Sequence, residues 1–202
     1  MKTGLTQAQR KQRTSAGLVE TARGLFLERG FHATSLDEIA EAAGYSKGAV
    51  YSNFGGKAEL FLAVLDAHLE LRAQAYTEVA LDGHDLDETY RAVARFRLEA
   101  DEREPAWEPL LLEFWTYAAR RDDLRAAVSE RRERFLDVIA ELIETLANRH
   151  GVAYTIPLRE VARGSAALLR GMAVERMLDS AATPIDVLAE MHAAYMKGLM
   201  KA

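Results

Sequence analysis

The sequence predicts an all-α chain, a unit of three helices followed by a body of six more, and three observations carry that expectation. Apolar residues recur at 3.6-residue spacing along nearly the whole length. No segment shows the sustained period-two alternation of β-branched residues that marks a strand. Gly, Pro, Ser and Asp punctuate the pattern where helices start and stop.

Leu18, Val19, Ala22, Leu25 and Phe26 form the first apolar stripe, and Gly30 supplies its stop. Ser35 precedes Leu36-Asp37-Glu38, a Ser-x-x-Glu capping box that opens a short helix of roughly 36–43, ended by Gly44. Ser46 caps a third short helix to about Phe54, and Gly55-Gly56 breaks the chain. A long helix follows from Lys57 to about Val79, with Leu60, Phe61, Val64, Leu65 and Leu69 on one side. Asp85, with Glu88 three residues on, caps a helix near 86–103. Pro105 opens a segment to about Arg120. A long helix over 122–149 stops at His150-Gly151, Pro157 opens another to about Asp179, and Pro184 opens the last, to Lys201.

Composition narrows the function classes. The 202 residues, 49% hydrophobic and 28% charged, are those of an ordinary globular protein. The chain has no cysteine, which excludes a disulfide scaffold and a thiolate metal site. No apolar run approaches the ~18 residues of a membrane span, and MKTGLTQAQRKQRTS lacks the apolar stretch of a secretory signal, so a cytoplasmic protein is expected. The net charge of −5 is uneven. Residues 1–57 carry eight Lys or Arg against five Asp or Glu, and the rest carries 18 against 26. A basic head on an acidic body suggests that the head meets a polyanion.

The two short helices are the informative part. Helices of about eight residues do not stand alone, because nucleation is unfavourable. Joined by a glycine turn, they must pack on each other and on the first helix, with small Ala40 allowing close approach and Val50 plugging the inner face. This is the pattern of a DNA-binding helix-turn-helix. Its second helix, Lys47-Gly48-Ala49-Val50-Tyr51-Ser52-Asn53, would enter the major groove N-terminus first.

The stretch GLFLERGFHATSLDEIAEAAGYSKGAVYSNFGGKAELF resembles the N-terminal domain of TetR-like transcriptional regulators. The resemblance covers about residues 13–62 and implies a homodimer with two DNA-reading heads and a helical body that takes a small molecule. It implies domains at 1–57, the helix-turn-helix DNA-binding head with a basic arm, and 58–202, the ligand-binding and dimerisation body. Carried onto this sequence, Thr34 and Ser35 touch phosphate, while Ser46, Lys47, Gly48, Ala49, Tyr51 and Ser52 lie at the groove. Lys57 adds a phosphate contact at a helix N-terminus. Asn53 stands where many relatives carry histidine, and either a base or a backbone contact is open to it. Arg10, Lys11 and Arg13 form an arm into an adjacent groove or a solvated tail.

The body says less. Trp107, Leu110, Leu111, Phe114, Trp115, Tyr117 and Ala118 share one arc, which lines a ligand pocket or is simply core. Glu113 falls on one stripe with Thr116 and Arg120 and reads as a solvated face. Arg131 sits in the buried stripe Leu124, Val128, Phe135, Val138 and Leu142, where it pairs with a ligand carboxylate or an internal acid, or extends outward. With His68, Phe135 and Met172, these give a pocket set of His68, Trp107, Leu111, Phe114, Trp115, Arg131, Phe135 and Met172. The five histidines show no i, i+4 ligand spacing, so no metal and no cofactor is expected. Gly164, Leu168 and Gly171, with the stripe Ile185, Leu188, His192, Tyr195 and Leu199, are the expected dimer interface, packing within one subunit being the other reading of each.

The expected function is a ligand-responsive regulator, a repressor bound as a homodimer to a palindromic double-stranded DNA operator and released by a small, largely apolar effector. The alternatives are a ligand-independent DNA-binding regulator and an all-helical small-molecule-binding protein or enzyme. No Gly-rich phosphate loop, nucleophile elbow or paired carboxylates nominate a catalytic residue.

Overall fold

The computed structural model describes residues 6–201; Lys2 of the basic head lies outside them. Among the described residues the chain forms α1 (Gln7–Ala33), α2 (Leu36–Ala42), α3 (Lys47–Asn53), α4 (Lys57–Asp82), α5 (Leu86–Arg103), α6 (Trp107–Ala118), α7 (Asp122–His150), α8 (Leu158–Leu178) and α9 (Ile185–Gly198). The one β-type pairing among them is an isolated antiparallel bridge between Tyr154 and Met200. No described helix is long and apolar enough to cross a membrane.

Helix α1 starts earlier than its apolar stripe suggests. Thr6 Oγ1 accepts from Gln9 N at 3.2 Å and Gln9 Oε1 accepts from Thr6 N at 2.9 Å, a capping box that winds the following turns. Arg10, Lys11 and Arg13 therefore stand exposed on the first two turns of α1, helical instead of an extended arm.

The chain packs as two units. One comprises residues up to His68 together with Pro109–Val128; the other comprises Leu69–Glu108 and Ser129 onward. The first unit thus takes in residues 58–68 and 109–128, which the motif boundary at 57 leaves to the body. Aromatic packing is the reason. Phe61 stacks on Phe114 at 4.1 Å between centroids, Phe26 meets Phe61 at 5.3 Å, and Phe31 meets Phe114 edge-on at 5.0 Å. Phe114 and the buried Leu111 are core of this unit, and the expectation that they line a pocket is corrected.

At the end of α1 the chain turns sharply. Gly30 has φ 83 and ψ 168, a region essentially reserved for glycine. The groups freed by this break are held from two sides. The Glu113 carboxylate accepts from Phe31 N at 3.0 Å and His32 N at 2.7 Å. Lys57 Nζ donates to the carbonyls of Phe31 (2.8 Å), His32 (3.1 Å) and Thr34 (2.8 Å), with the Phe31 ring 4.7 Å away. Burial pushes the Lys57 ammonium below its usual pKa, with Glu113 and Glu38 opposing. Glu113, expected on a solvated face, is instead a cap, because its stripe meets the amides of residues 31 and 32.

In the second unit α9 packs along α5 and α8. A methyl group at Gly164 would lie 1.8 Å from Tyr195 Oη, so the small residue on α8 exists to admit the α9 tyrosine. His192 is buried between Ser165 and Tyr90. The Tyr90 carbonyl, 3.0 Å from Nδ1, can only accept, so Nδ1 carries the proton and Nε2 accepts from Ser165 Oγ at 2.8 Å. Leu188 is buried with Leu169, Met172 and Ala173, against which Leu168 and Ile185 pack; Tyr195 and Leu199 pack on the neighbouring cluster of Tyr90, Ile143 and Met196. Of the expected dimer residues, Leu188 and His192 are therefore intramolecular core, Gly164, Leu168, Ile185, Tyr195 and Leu199 are half-buried, and Gly171 is exposed.

Two outcomes follow for stability. Gly30→Ala forces a side chain into the strained region and sets its methyl 2.7 Å from Glu113 Oε2; a loss of about 2 kcal/mol or more in urea unfolding is expected, and an unchanged midpoint would sink the clamp. Burial holds the His192 pKa at about 4, against an ordinary 6.5, the Tyr90 carbonyl opposing. Its neutral form stabilises fully above pH 6.5, and that contribution drains away as pH falls from 6.5 toward 4, where the unfolded chain binds the extra proton. Between pH 7 and 4.5 the parent protein should lose about 2 kcal/mol more than His192→Gln; equal losses would show that His192 titrates normally.

Candidate functional site

The helix-turn-helix is built by two caps and one turn. Ser35 Oγ accepts from Glu38 N at 3.2 Å, and Glu38 Oε2 accepts from Ser35 N at 2.8 Å, starting α2. The Ser35 hydroxyl, donating to Glu38 Oε2 at 2.7 Å, and then the Ser35 N–H hold the Glu38 carboxyl below its usual range. Gly44, at φ 71, makes the turn. Ser46 Oγ then accepts from Ala49 N at 3.2 Å and starts α3. Ile39, Ala40 and Val50 are buried, which fixes α3 by its inner face.

The outer face of α3 is open. Lys47, Gly48 and Ser52 are exposed, Ala49 is half-buried, and the Tyr51 side chain is 51% exposed although aromatic. A methyl group at Gly48 would meet nothing nearer than Ser46 Oγ at 3.8 Å, so the backbone there lies free for close approach. Lys47 Nζ pairs with Asp37 at 2.7 Å on the surface, and that hydrogen bond raises its pKa. Such exposed pairs are weak, so the ammonium is available to another anion.

Three expected contacts are placed differently. The buried Thr34 side chain donates its hydroxyl to the Gly30 carbonyl at 2.8 Å and turns inward. Asn53 folds back, its Nδ2 donating to Ala49 O at 2.7 Å, with Oδ1 buried and lacking a partner. Lys57 spends its three N–H donors on the end of α1. Ser52 also bonds Ala49 O, at 2.9 Å, but remains exposed.

The second unit holds a cavity of about 100 Å³. Its wall is apolar where Val93, Phe135, Ile139, Leu142 and Leu169 meet, and polar where Tyr76, Arg97, Arg170, Ser165 and His192 do. Of the expected pocket residues only Phe135 is in this wall. Met172 is core beside Leu98 and Ala173, Trp107 is buried elsewhere, and His68, Trp115 and Arg131 are half-buried away from it.

The polar end was missed by sequence reasoning. Arg97, 7% exposed, donates to Glu108 Oε2 at 2.9 Å and also bonds Asp101. Arg170 donates to Glu108 Oε1 at 2.6 Å, and Arg72 to Asp101 Oδ1 at 3.3 Å. Burial pushes the Arg170 pKa below its ordinary value, Glu108 opposing and Arg97 adding to the depression. The signal was legible for one of them: Tyr90, Ala94, Arg97 and Leu98 repeat at i, i+4, i+7, i+8, which places Arg97 on a buried stripe.

Comparison with known proteins gives this geometry a context. Residues 18–64 match the model for bacterial regulatory proteins of the tetR family, and residues 86–201 match the C-terminal model of BetI-type transcriptional repressors. The transcriptional activator FasR of Mycolicibacterium smegmatis is 47% identical over 53 residues, 26% of this chain and 24% of that protein. Two further curated relatives are likewise matched over about a third of their own length, so these likenesses concern the head. A solved structure assigned to the TetR family, from Mesorhizobium loti, is 26% identical with a TM-score of 0.73, over 94% of this chain and 96% of that one. A regulator of Saccharomonospora viridis, solved with choline, shares the fold at 19% identity and a TM-score of 0.71, over 95% of this chain and 100% of its own. With the body model alone spanning more than half of its residues, this chain belongs to the TetR family of transcriptional regulators.

Proposed function

We propose that the chain is a ligand-responsive regulator that binds a palindromic operator as a homodimer and is released by a small effector held in the cavity of its second unit. The observation that carries the reading is α3: anchored by Val50 inside, it leaves Lys47, Gly48, Tyr51 and Ser52 exposed, with Lys47 held only by its surface pair to Asp37. Ala49 and the capped helix starts at Ser35 and Ser46 complete the face, with backbone amides available to phosphate. The BetI-type likeness favours repression over the activation that the name FasR records.

The dimer face in this reading is the outward side of α8 and α9. Leu178 is 74% exposed, Val187 53% and Met191 51%, alongside the exposed Gly171 and Ala194. Apolar side chains this exposed on adjacent packed helices suit an isologous contact. A palindrome then requires two recognition helices about 34 Å apart. In this reading, effector binding in the second unit is coupled to DNA binding by the first. Coupling of this kind is worth about 1–3 kcal/mol.

For DNA, Tyr51→Ala and Lys47→Ala should each weaken operator binding about 5–30-fold, and Lys47→Ala should reduce the salt slope by about one. Lys57→Met should lower the unfolding midpoint and leave the salt slope alone. Unchanged operator affinity in both α3 variants would overturn α3 as the reader. For assembly, Val187→Glu with Met191→Glu should convert a dimer to a monomer in sedimentation; a dimer that survives both changes puts the interface elsewhere.

A further inference from the structure

The cavity of the second unit carries a charge imbalance that narrows what it holds. Three guanidinium groups, Arg72, Arg97 and Arg170, share two carboxylates, Asp101 and Glu108. Glu108 is only 3% exposed, and the side chains of Arg72, Arg97 and Asp101 are largely buried too. Arginine stays protonated under all ordinary conditions, so the cluster is left with one positive charge in excess. The Arg170 side chain is 30% exposed, so solvent meets part of that charge, and an anion in the cavity would meet the part that Arg97 holds out of water.

Placement makes the excess face the cavity. Arg97 and Arg170 are in its wall; Asp101 and Glu108 are not, and no carboxylate lines it. The other titratable wall groups do not supply an anion. Burial keeps His192 neutral and raises the Tyr76 and Tyr90 phenols above their ordinary values. The rest of the wall is the Ser165 hydroxyl and apolar side chains, Phe135, Ile139, Leu142 and Leu169 among them.

The geometry points to a small amphipathic anion as the effector: a carboxylate held by Arg97 and Arg170, with Tyr76 beside them, on an apolar body seated against Phe135, Ile139 and Leu142. This rests on the ligand-responsive reading above and adds to it the sign of the ligand's charge. The planar fork of arginine fits a carboxylate with two parallel hydrogen bonds. An aromatic wall alone would equally suit a quaternary ammonium, but two guanidinium groups in a wall that itself holds no carboxylate repel a cation.

The test is calorimetric titration of the full chain at pH 7.5 with three probes of one chain length: hexanoate, 1-hexanol and hexyltrimethylammonium. Hexanoate should bind at least about tenfold more tightly than 1-hexanol, and hexyltrimethylammonium should bind least. Arg170→Met leaves two guanidinium groups against two carboxylates; it should abolish the preference for hexanoate while leaving 1-hexanol binding unchanged. The parent comparison stands by itself should that variant not fold. Equal binding of hexanoate and 1-hexanol, tightest binding of hexyltrimethylammonium, or no heat from any probe at millimolar concentration each overturns the anion site. Operator binding measured with and without hexanoate separates the two readings: hexanoate that binds without changing operator affinity removes the ligand-responsive role and leaves the anion site standing.

Discussion

Five residues, Gly30 to Thr34, depend on being gripped by opposite charges, and the head depends on them. A helix that ends inside a protein leaves polar backbone groups that must find partners. Here Glu113 takes two amides and Lys57 takes three carbonyls of the same segment. The positive φ at Gly30 turns those groups outward so that both side chains can reach them. The Thr34 hydroxyl closes the segment on itself by returning to the Gly30 carbonyl. The start of α2 at Ser35 is set by this arrangement, and with it the angle at which α3 is offered.

Local signals were legible in the sequence wherever a residue acts on its own neighbours. Ser35 with Glu38, Asp85 with Glu88 and the glycine at 44 each declare a boundary, and the helices begin and end there. The order of the nine helices among the described residues followed from the same punctuation. What could not be read was which element covers a given face. Glu113 reaches a segment about 80 positions away, and helical periodicity says only that it faces away from its own apolar stripe. His192 was placed on the correct stripe and assigned the wrong neighbour, since nothing local distinguishes a stripe buried by α5 and α8 from one buried by a second subunit. Lys57 shows a third limit. A cation at a helix N-terminus near a DNA-reading motif suggests phosphate, yet carbonyls at a helix end attract it just as well.

The two units carry different kinds of polar chemistry. In the head the charges are exposed or bonded to backbone, so they shape a surface without storing much electrostatic energy. In the second unit arginines and carboxylates are enclosed together, where each charge is felt strongly by the others. A surface that reads a polyanion needs the first arrangement, because its cations must be free to exchange partners. A cavity that discriminates among small molecules needs the second.

The contact between Gly164 and Tyr195 has a consequence for how relatives of this chain can drift. The tyrosine hydroxyl occupies the volume where any larger residue at 164 would put its first carbon, so the two positions are bound to change as a pair. Met191 and Val187, one and two turns earlier along the same side of α9, stand more than half exposed. Across an aligned set of relatives, positions 164 and 195 would covary tightly, while 187 and 191 are released from that constraint. One side of a single helix thus passes, within two turns, from a position the chain's own packing dictates to positions it leaves open.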